Sequence, residues 1–417
     1  MKSTGVFRLR SFCLKKEEIR MQKIIELLQK MKLHLKEEGL RETIYIMQRY
    51  IQLQLRNHKV KNTDYWKETN GPIVNIVTKI PYYDVGGGQR SSQLTKTFQR
   101  LGYSVRFFYA DYSHDEKLEN VYIPACVHTR ITEEAIGRLR NEINSAELFI
   151  FESPLQEFLP LLHLAKEKGC RIVYENIDNW ETYLGRTFFK EEVLRVFLEQ
   201  ADVLVGTAEP LVEQLETYLK RFGIEKKTIL YLANAVDGEM FCGKTKHERP
   251  KDLVEGERTF LYYGTLWGEW FDWDLVIGLA ERNPKYAINL IGNAEGLQTR
   301  IKSCPANIHF LGLKAQPELP AYLQYVDYAL LPFKTGKIGD YVSPLKIFEY
   351  IAMYTKVLTT PLPDIQDYPN LYFGDTVESW EAVVAKNPSV DIEAAEQFTM
   401  QNTWESRIAA LQQGWNL

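Results

Sequence analysis

The sequence predicts an α/β protein: two Rossmann-like domains in tandem, facing a cleft, with a helical extension at the N-terminus. Three observations carry this reading. The chain has 417 residues, room for two or three domains at roughly 150 residues each, every one large enough to bury its own core. From Asn70-Gly71 onward, short runs rich in Val, Ile, Phe and Tyr alternate with helix-length segments, the pattern of βαβ units and a parallel sheet. That alternation stops at the polar stretch Gly243–Asp252 and then starts again, which marks a linker or loop between two domains. With 45% apolar and 25% charged residues, the usage is that of a globular chain, which excludes a disordered or fibrous one.

The extension, residues 1–70, comes first. Met21, Ile24, Ile25, Leu28, Met31 and Leu35 recur at three- and four-residue steps with lysines between them, predicting an amphipathic helix that Gly39 ends. Ile44, Met47, Ile51 and Leu55 form a second apolar stripe, so a helical hairpin is expected. Residues 1–61 hold 15 Lys/Arg and 6 Asp/Glu; of the net −4 this leaves −13 on residues 62–417. A basic amphipathic hairpin can lie on an anionic membrane surface, pack on the body of the protein, or dock on another subunit. The acidic body offers no basic surface to neutralise phosphates, so nucleic acid is not an expected partner. No run approaches 18 apolar residues and no signal peptide is legible, so a cytoplasmic protein is expected, at most peripheral on the inner face of the plasma membrane. Cys13, Cys126, Cys170, Cys242 and Cys304 are far apart and lack CxxC spacing, which suggests buried thiols and neither disulfides nor zinc.

The first domain, residues 71–245, is expected to contain strands at Ile73–Thr78, Ser104–Ala110, Glu147–Phe151, Arg171–Tyr174, Asp202–Gly206 and Thr228–Leu232, with helices such as Gln93–Leu101 and Pro154–Lys168 between them. In the second, residues 246–390, strands are expected at Thr259–Tyr263, Tyr286–Ile291, Asn307–Leu311, Asp327–Leu331 and Lys356–Thr359. A helix near Glu393–Gln412, within residues 391–417, closes the chain. Ligands of such sheets bind outside the carboxyl ends of the strands.

Two motifs stand at such ends. Gly86-Gly87-Gly88-Gln89-Arg90-Ser91-Ser92 follows the first strand and opens a helix; glycines there let backbone amides approach an anion or a sugar, although a plain strand-to-helix turn also accounts for them. In Ser343-Pro344-Leu345-Lys346-Ile347-Phe348-Glu349-Tyr350, Ser343 suits an N-cap and Pro344 the first helical position. Lys346 and Glu349, three residues apart, share a helix face. A diphosphate would take the amides and Lys346, and ribose hydroxyls would donate to Glu349.

These residues bring a family into view. The chain resembles the GT-B glycosyltransferases over about residues 72–417, in particular family-four bacterial enzymes that build cell-surface polysaccharides, and more narrowly the teichuronic-acid-type transferases. The landmarks are Gly87-Gly88-Gln89-Arg90-Ser91, Leu101-Gly102-Tyr103, Tyr263-Gly264-Thr265-Leu266, Leu290-Ile291-Gly292, Phe310-Leu311-Gly312, Tyr328-Ala329-Leu330-Leu331-Pro332-Phe333 and the Ser343–Tyr350 stretch, with Thr403-Trp404-Glu405 resembling the family's last helix, which crosses back to the first domain. Their order and spacing, more than any one of them, carry the resemblance.

The resemblance implies a metal-independent transferase that uses a nucleotide diphosphate sugar as co-substrate and a glycan or lipid-linked acceptor, without a cofactor. By position it implies that Glu349 holds the donor ribose and that Ser343, Pro344 and Lys346 cradle the diphosphate. Gly264 and Thr265 would also contact the diphosphate, Gly312 and Leu313 would face the base, and Gly87, Gly88 and Arg90 would lie near the transferred sugar. Domain closure is expected, with the stretch near Gly243 as one hinge.

Two departures matter. Many retaining members carry a glutamate eight places before the one matched by Glu349, where this chain has Tyr341 beside Asp340, and an Arg-Lys pair where Thr265 and Trp270 stand. Phosphate charge then falls to Lys334, Lys337 or Lys346, and the stereochemical outcome stays open. An inverting reaction needs a base for the acceptor hydroxyl; Asp178, then Glu175, in Tyr174–Glu181 after a strand are the candidates, with helix capping as the alternative role for Asp178 and Glu152 as a further acceptor-side candidate. Asp272-Trp273-Asp274 matches a metal-binding DxD pattern, yet aspartates at a helix start also serve its dipole, and no metal is expected. Two other functions fit the same scaffold: a nucleotide-sugar epimerase or hydrolase, and a non-catalytic nucleotide-sugar-binding subunit.

Overall fold

The computed structural model describes residues 71–111, 126–182, 184–266, 268–294, 297–336 and 338–415. The helical hairpin, Cys13 and Lys337 lie outside the described residues.

Seven strands form the first sheet: β1 (Ile73–Thr78), β2 (Ser104–Tyr109), β3 (Cys126–Arg130), β4 (Leu148–Phe151), β5 (Arg171–Asn176), β6 (Val203–Gly206) and β7 (Thr228–Tyr231). All pair in parallel in the order β3-β2-β1-β4-β5-β6-β7. Helices α1 (Arg90–Arg100), α2 (Glu133–Glu142), α3 (Leu159–Glu167), α4 (Glu191–Gln200) and α5 (Glu209–Phe222) lie between them in sequence. The second sheet has six strands, β8 (Thr259–Tyr263), β9 (Ala287–Ile291), β10 (Ile308–Gly312), β11 (Tyr328–Leu331), β12 (Lys356–Thr359) and β13 (Leu371–Phe373), parallel in the order β10-β9-β8-β11-β12-β13. Its helices are α6 (Trp273–Arg282), α7 (Gln298–Ser303), α8 (Leu319–Leu323), α9 (Leu345–Ala352) and α10 (Val377–Lys386). Both sheets are therefore doubly wound, with burial on both faces explaining why their central strands read as continuous apolar runs. Val74, Ile76, Phe107, Phe149 and Ile150 in the first, and Phe260, Leu261, Leu290 and Leu330 in the second, are wholly buried.

Two strands escaped the sequence reading. β3, Cys-Val-His-Thr-Arg, has its apolar run broken by His128 and Thr129, and the edge strand β13, Leu-Tyr-Phe, is apolar throughout but too short to show a period.

The end of the chain also differs from expectation. The single helix expected near Glu393–Gln412 is two helices, α11 (Ile392–Gln401) and α12 (Trp404–Trp415). Asn402 folds its amide back onto the Phe398 carbonyl at 2.8 Å and the Thr403 hydroxyl accepts from Ser406 N at 3.2 Å, so local side-chain bonds end one helix and start the next. α11 stays with the second domain, where Ala395 joins its core. α12 alone returns to the first, burying Trp404, Ile408 and Leu411 beside Leu94 and Phe98.

The expected hinge near Gly243 is corrected too. Gly243 N donates to Ala352 O at 3.0 Å, Gln324 grips both Thr245 O and His247 N, and Asp252 accepts from Lys314 and Tyr322 at 2.6 Å each. This stretch is laced to the second domain by residues that follow it. The chain passes between the sheets earlier, at Ala233–Val236, where Val236 pairs with Thr403 in a parallel bridge. Two adjacent crossings, one in each direction, are the place where a hinge would act.

Candidate functional site

In each sheet the strand order reverses next to the first strand, between β1 and β4 and between β8 and β11. Such switch points open a crevice at the carboxyl ends of the strands. The candidate residues fall around these two crevices.

In the second crevice, α9 follows the loop after β11. Its helical turns begin at Leu345 with Pro344 as the flanking residue; Ser343 is not the cap expected of it, because its hydroxyl accepts from Asn234 N at 3.1 Å and its carbonyl from Asn234 Nδ2 at 2.6 Å. Ser343 thus ties the second domain to the crossing segment, and α9 starts without a side-chain cap; Ile347 N donates to Pro344 O at 3.0 Å, which leaves the Leu345 and Lys346 amides as the donors at the positive end of the helix.

Lys346, in that first turn, lies with its ammonium 4.9 Å from the Phe333 ring centre and 5.3 Å from that of Tyr262, positions at which aromatic faces attract a cation. Burial pulls it down to about 8, against the opposing pull of Glu349. Gly264, at φ +136°, makes room for it: a Cβ there would meet Lys346 Cε at 3.0 Å and Nζ at 3.2 Å. Thr265, next along, is partly exposed and its carbonyl accepts from Tyr262 OH at 3.0 Å.

Glu349 is 2% exposed. Tyr263 OH donates to one oxygen at 2.5 Å and Gln316 Nε2 to the other at 2.8 Å. Burial pushes its carboxyl up to about 7, while those two bonds, Lys346 and Lys96 pull it down. Gly312 and Leu313 sit at the rim after β10, Leu313 half exposed, and Gly312 O accepts from Gly292 N at 3.0 Å. Lys334 is exposed.

The first crevice is organised differently. Gly86 and Gly87 have φ +85° and +75°, open to glycine at little cost. A Cβ on Gly86 would come within 2.6 Å of Lys314 O, and one on Gly88 within 3.6 Å of the Gln316 carboxamide. The close approach that the glycine run permits is therefore to the loop after β10, rather than to an open anion cradle.

Arg90, expected near the transferred sugar, is instead a buried strut. Its Nε and Nη2 each donate to Glu175 at 2.9 Å, Nη1 reaches Ala233 O and Asn234 Oδ1, and the guanidinium lies 5.5 Å from the Trp404 ring centre. The same fork removes Glu175 from the candidate bases, because both its oxygens are engaged and it is 1% exposed. Asp178, two residues past β5, is partly exposed, and among the described residues no hydrogen bond or ion pair engages it; burial raises it to about 7. Glu152, just past β4, is 2% exposed, and among the described residues its Oε1 has no hydrogen-bond partner. Burial raises it to about 7, with the nearby Glu175 adding to the shift and Thr78, Arg90 and Ser91 opposing it.

The DxD pattern is a helix start. Asp272 caps α6, accepting from Leu275 N at 3.1 Å. Among the described residues no group of three His, Cys, Asp or Glu is placed to hold a metal ion. Gln316, Gln93 and Lys96 were given no role from the sequence, and Tyr263 stood there only as part of the landmark Tyr263-Gly264-Thr265-Leu266, without a role at the site.

Solved structures share this fold. A sucrose-phosphate synthase from Thermosynechococcus elongatus superposes with a TM-score of 0.63 at 12% identity, over 83% of this chain and 98% of that one. Anabaena HepE in complex with UDP and glucose does so with a TM-score of 0.59 at 12% identity, over 82% and 100%. The fold is GT-B. A Bacillus subtilis (strain 168) protein described as "Putative teichuronic acid biosynthesis glycosyltransferase TuaH" is 23% identical over 263 residues, 59% of this chain and 64% of that protein, so the match spans less than two thirds of that relative. No family model matches the chain. In GT-B terms, the second crevice holds Lys346, Glu349 and the free end of α9, and the first holds Asp178 and Glu152.

Proposed function

We propose that this GT-B protein is a glycosyltransferase that moves a sugar from a nucleotide diphosphate donor to a glycan or lipid-linked acceptor in the synthesis of a cell-surface polysaccharide. The observation that carries the reading is the pairing on α9: a cation held against aromatic rings and a carboxylate one turn later, at the switch point of the second sheet. The α9 amides and Lys346 take the diphosphate, and Glu349 accepts from the ribose hydroxyls. The bond between the sugar's anomeric carbon and the diphosphate oxygen breaks, the bond to the acceptor oxygen forms, and negative charge collects on the diphosphate, where the helix end and Lys346 stabilise it without a metal. The acceptor hydroxyl loses a proton. Asp178 takes it in the direct displacement proposed here; in a front-face displacement the departing phosphate takes it, and the anomeric configuration of the product distinguishes the two.

The relative TuaH supports the polysaccharide setting, and HepE, bound to UDP and glucose, makes UDP the first nucleotide to try. Among the described residues no helix is long and apolar enough to cross a membrane; the basic amphipathic residues 1–61 are the part proposed to meet a membrane surface or partner protein at the cytoplasmic face.

The test is a thermal-shift series with UDP, GDP, CDP, ADP and dTDP, in EDTA, on the wild type and Glu349→Ala. A ligand at a hundred times its Kd stabilises by about 2.7 kcal/mol. Stabilisation of the wild type by one diphosphate, absent in the variant, is expected. No stabilisation by any diphosphate or its sugar conjugate overturns the proposal.

A further inference from the structure

The two halves of the molecule meet in a chain of buried hydrogen bonds that passes through Gln316. Gln316 follows β10 in the second half and is 2% exposed. Its Nε2 donates to Glu349 at 2.8 Å, while its Oε1 accepts from Gln93 Nε2 at 2.6 Å and Lys96 Nζ at 2.9 Å, both on α1 of the first half. The carboxamide has one consistent orientation. A carboxylate only accepts and an ammonium only donates, so nitrogen must face Glu349 and oxygen must face Lys96.

One group is left unmet. Gln93 is 1% exposed, and with its nitrogen turned to Gln316 its Oε1 is buried without a partner among the described residues. A buried acceptor with no donor disfavours the state that contains it. The described arrangement thus covers Glu349 and leaves an acceptor on α1 a few bonds away that a hydroxyl donor would satisfy.

From this we infer that Gln316 is a positioning residue that competes with the donor's ribose for Glu349, so that filling the donor site releases α1 from the loop after β10. The inference rests on the proposed role of Glu349. The ribose hydroxyl takes the oxygen that Gln316 now holds, and Gln316, losing its carboxylate, no longer ties Gln93 and Lys96 to the second half. The glycine run takes part because Gly86 and Gly88 lie against Lys314 and Gln316, so the strand-to-helix turn is free to move only when that loop lets go.

The experiment uses Gln316→Met, which keeps length but neither donates nor accepts, and Gln93→Met, which cuts the same chain from the other side. Affinity is measured by calorimetry for the nucleoside diphosphate that stabilises the wild type and for its 2′,3′-dideoxy counterpart. Removing a competing hydrogen bond is expected to tighten the ribose form about 3- to 10-fold in Gln316→Met, by less in Gln93→Met, and to leave the dideoxy form unchanged in both. Hydrogen exchange adds a second reading: the ribose form should speed exchange at the start of α1 and over 312–318 in the wild type. A merely structural bridge would weaken both nucleotides together. Wild-type binding with ribose affinity unchanged or weakened in the folded variants overturns the inference alone. Binding to neither wild type nor variants removes the proposed function and this inference with it.

Discussion

The same strand order builds two crevices that hold opposite chemistry. Around the first, Glu152 and Glu175 lie near the buried cation Arg90, which is already committed to Glu175, and Asp178 stands past the end of β5 with no ion pair among the described residues. Around the second, the cation Lys346 has no ion-pair partner in contact among the described residues but lies over two rings at a helix start, and Glu349 is held by neutral donors. In the proposed reaction the first crevice holds or takes protons and the second receives negative charge. Topology brings both to strand ends, and side-chain chemistry alone decides what each does.

Breaking the strut is the largest test of this contrast. Arg90→Met leaves Glu175 buried without its partner, a loss of about 3–5 kcal/mol; the thermal midpoint should fall sharply. Arg90→Lys should recover little of it, since an ammonium lacks the two-pronged geometry. An unchanged midpoint would mean that the first crevice does not depend on this cation.

In the second crevice the expected loss is in turnover rather than stability. Lys346→Met removes a desolvated ammonium, so the midpoint should stay level or rise. Sugar transfer should drop about 100-fold, the scale of removing one charge-stabilising donor. Rates measured at saturating donor separate this from weaker binding, and retained turnover would show that the diphosphate is met elsewhere.

The smallest effect sharpens the first crevice. Because burial raises Glu152 from its ordinary range to about 7, the folded state holds its proton where the unfolded state has lost it. Its contribution is present in full below the ordinary carboxylate pKa and is lost as pH rises to about 7. Glu152→Gln cannot ionise and should match the wild type near pH 4 but exceed it at pH 8 by at most about 3 kcal/mol. Thermal midpoints across that range check it; a constant gap would mean that Glu152 ionises normally in the fold.

Periodicity made most strands legible, because a strand buried on both faces must be apolar throughout, as Leu-Phe-Ile-Phe at 148–151 is. It missed β3, whose His128 and Thr129 interrupt the apolar run, and it merged α11 with α12, because their break rests on side-chain bonds at Asn402 and Thr403 that leave the apolar spacing intact. Lys346 and Glu349 were legible as a pair since one helix turn relates them. Arg90 with Glu175, and Gln316 with Gln93 and Glu349, were not: they are joined over 85, 223 and 33 residues of chain, and nothing local records such a pairing.

What the sequence alone determined is the α/β class, the two repeats and the helix that carries Lys346 and Glu349, since each follows from the spacing of residues along one segment. The tertiary structure decided which charged groups are free. It committed Arg90 and Glu175 to each other, turned Ser343 toward Asn234, pinned the stretch after Gly243 to the second domain and covered Glu349 with Gln316. Desolvation and partner geometry fix the state of a buried charge, and both depend on groups that only folding brings within a few ångströms.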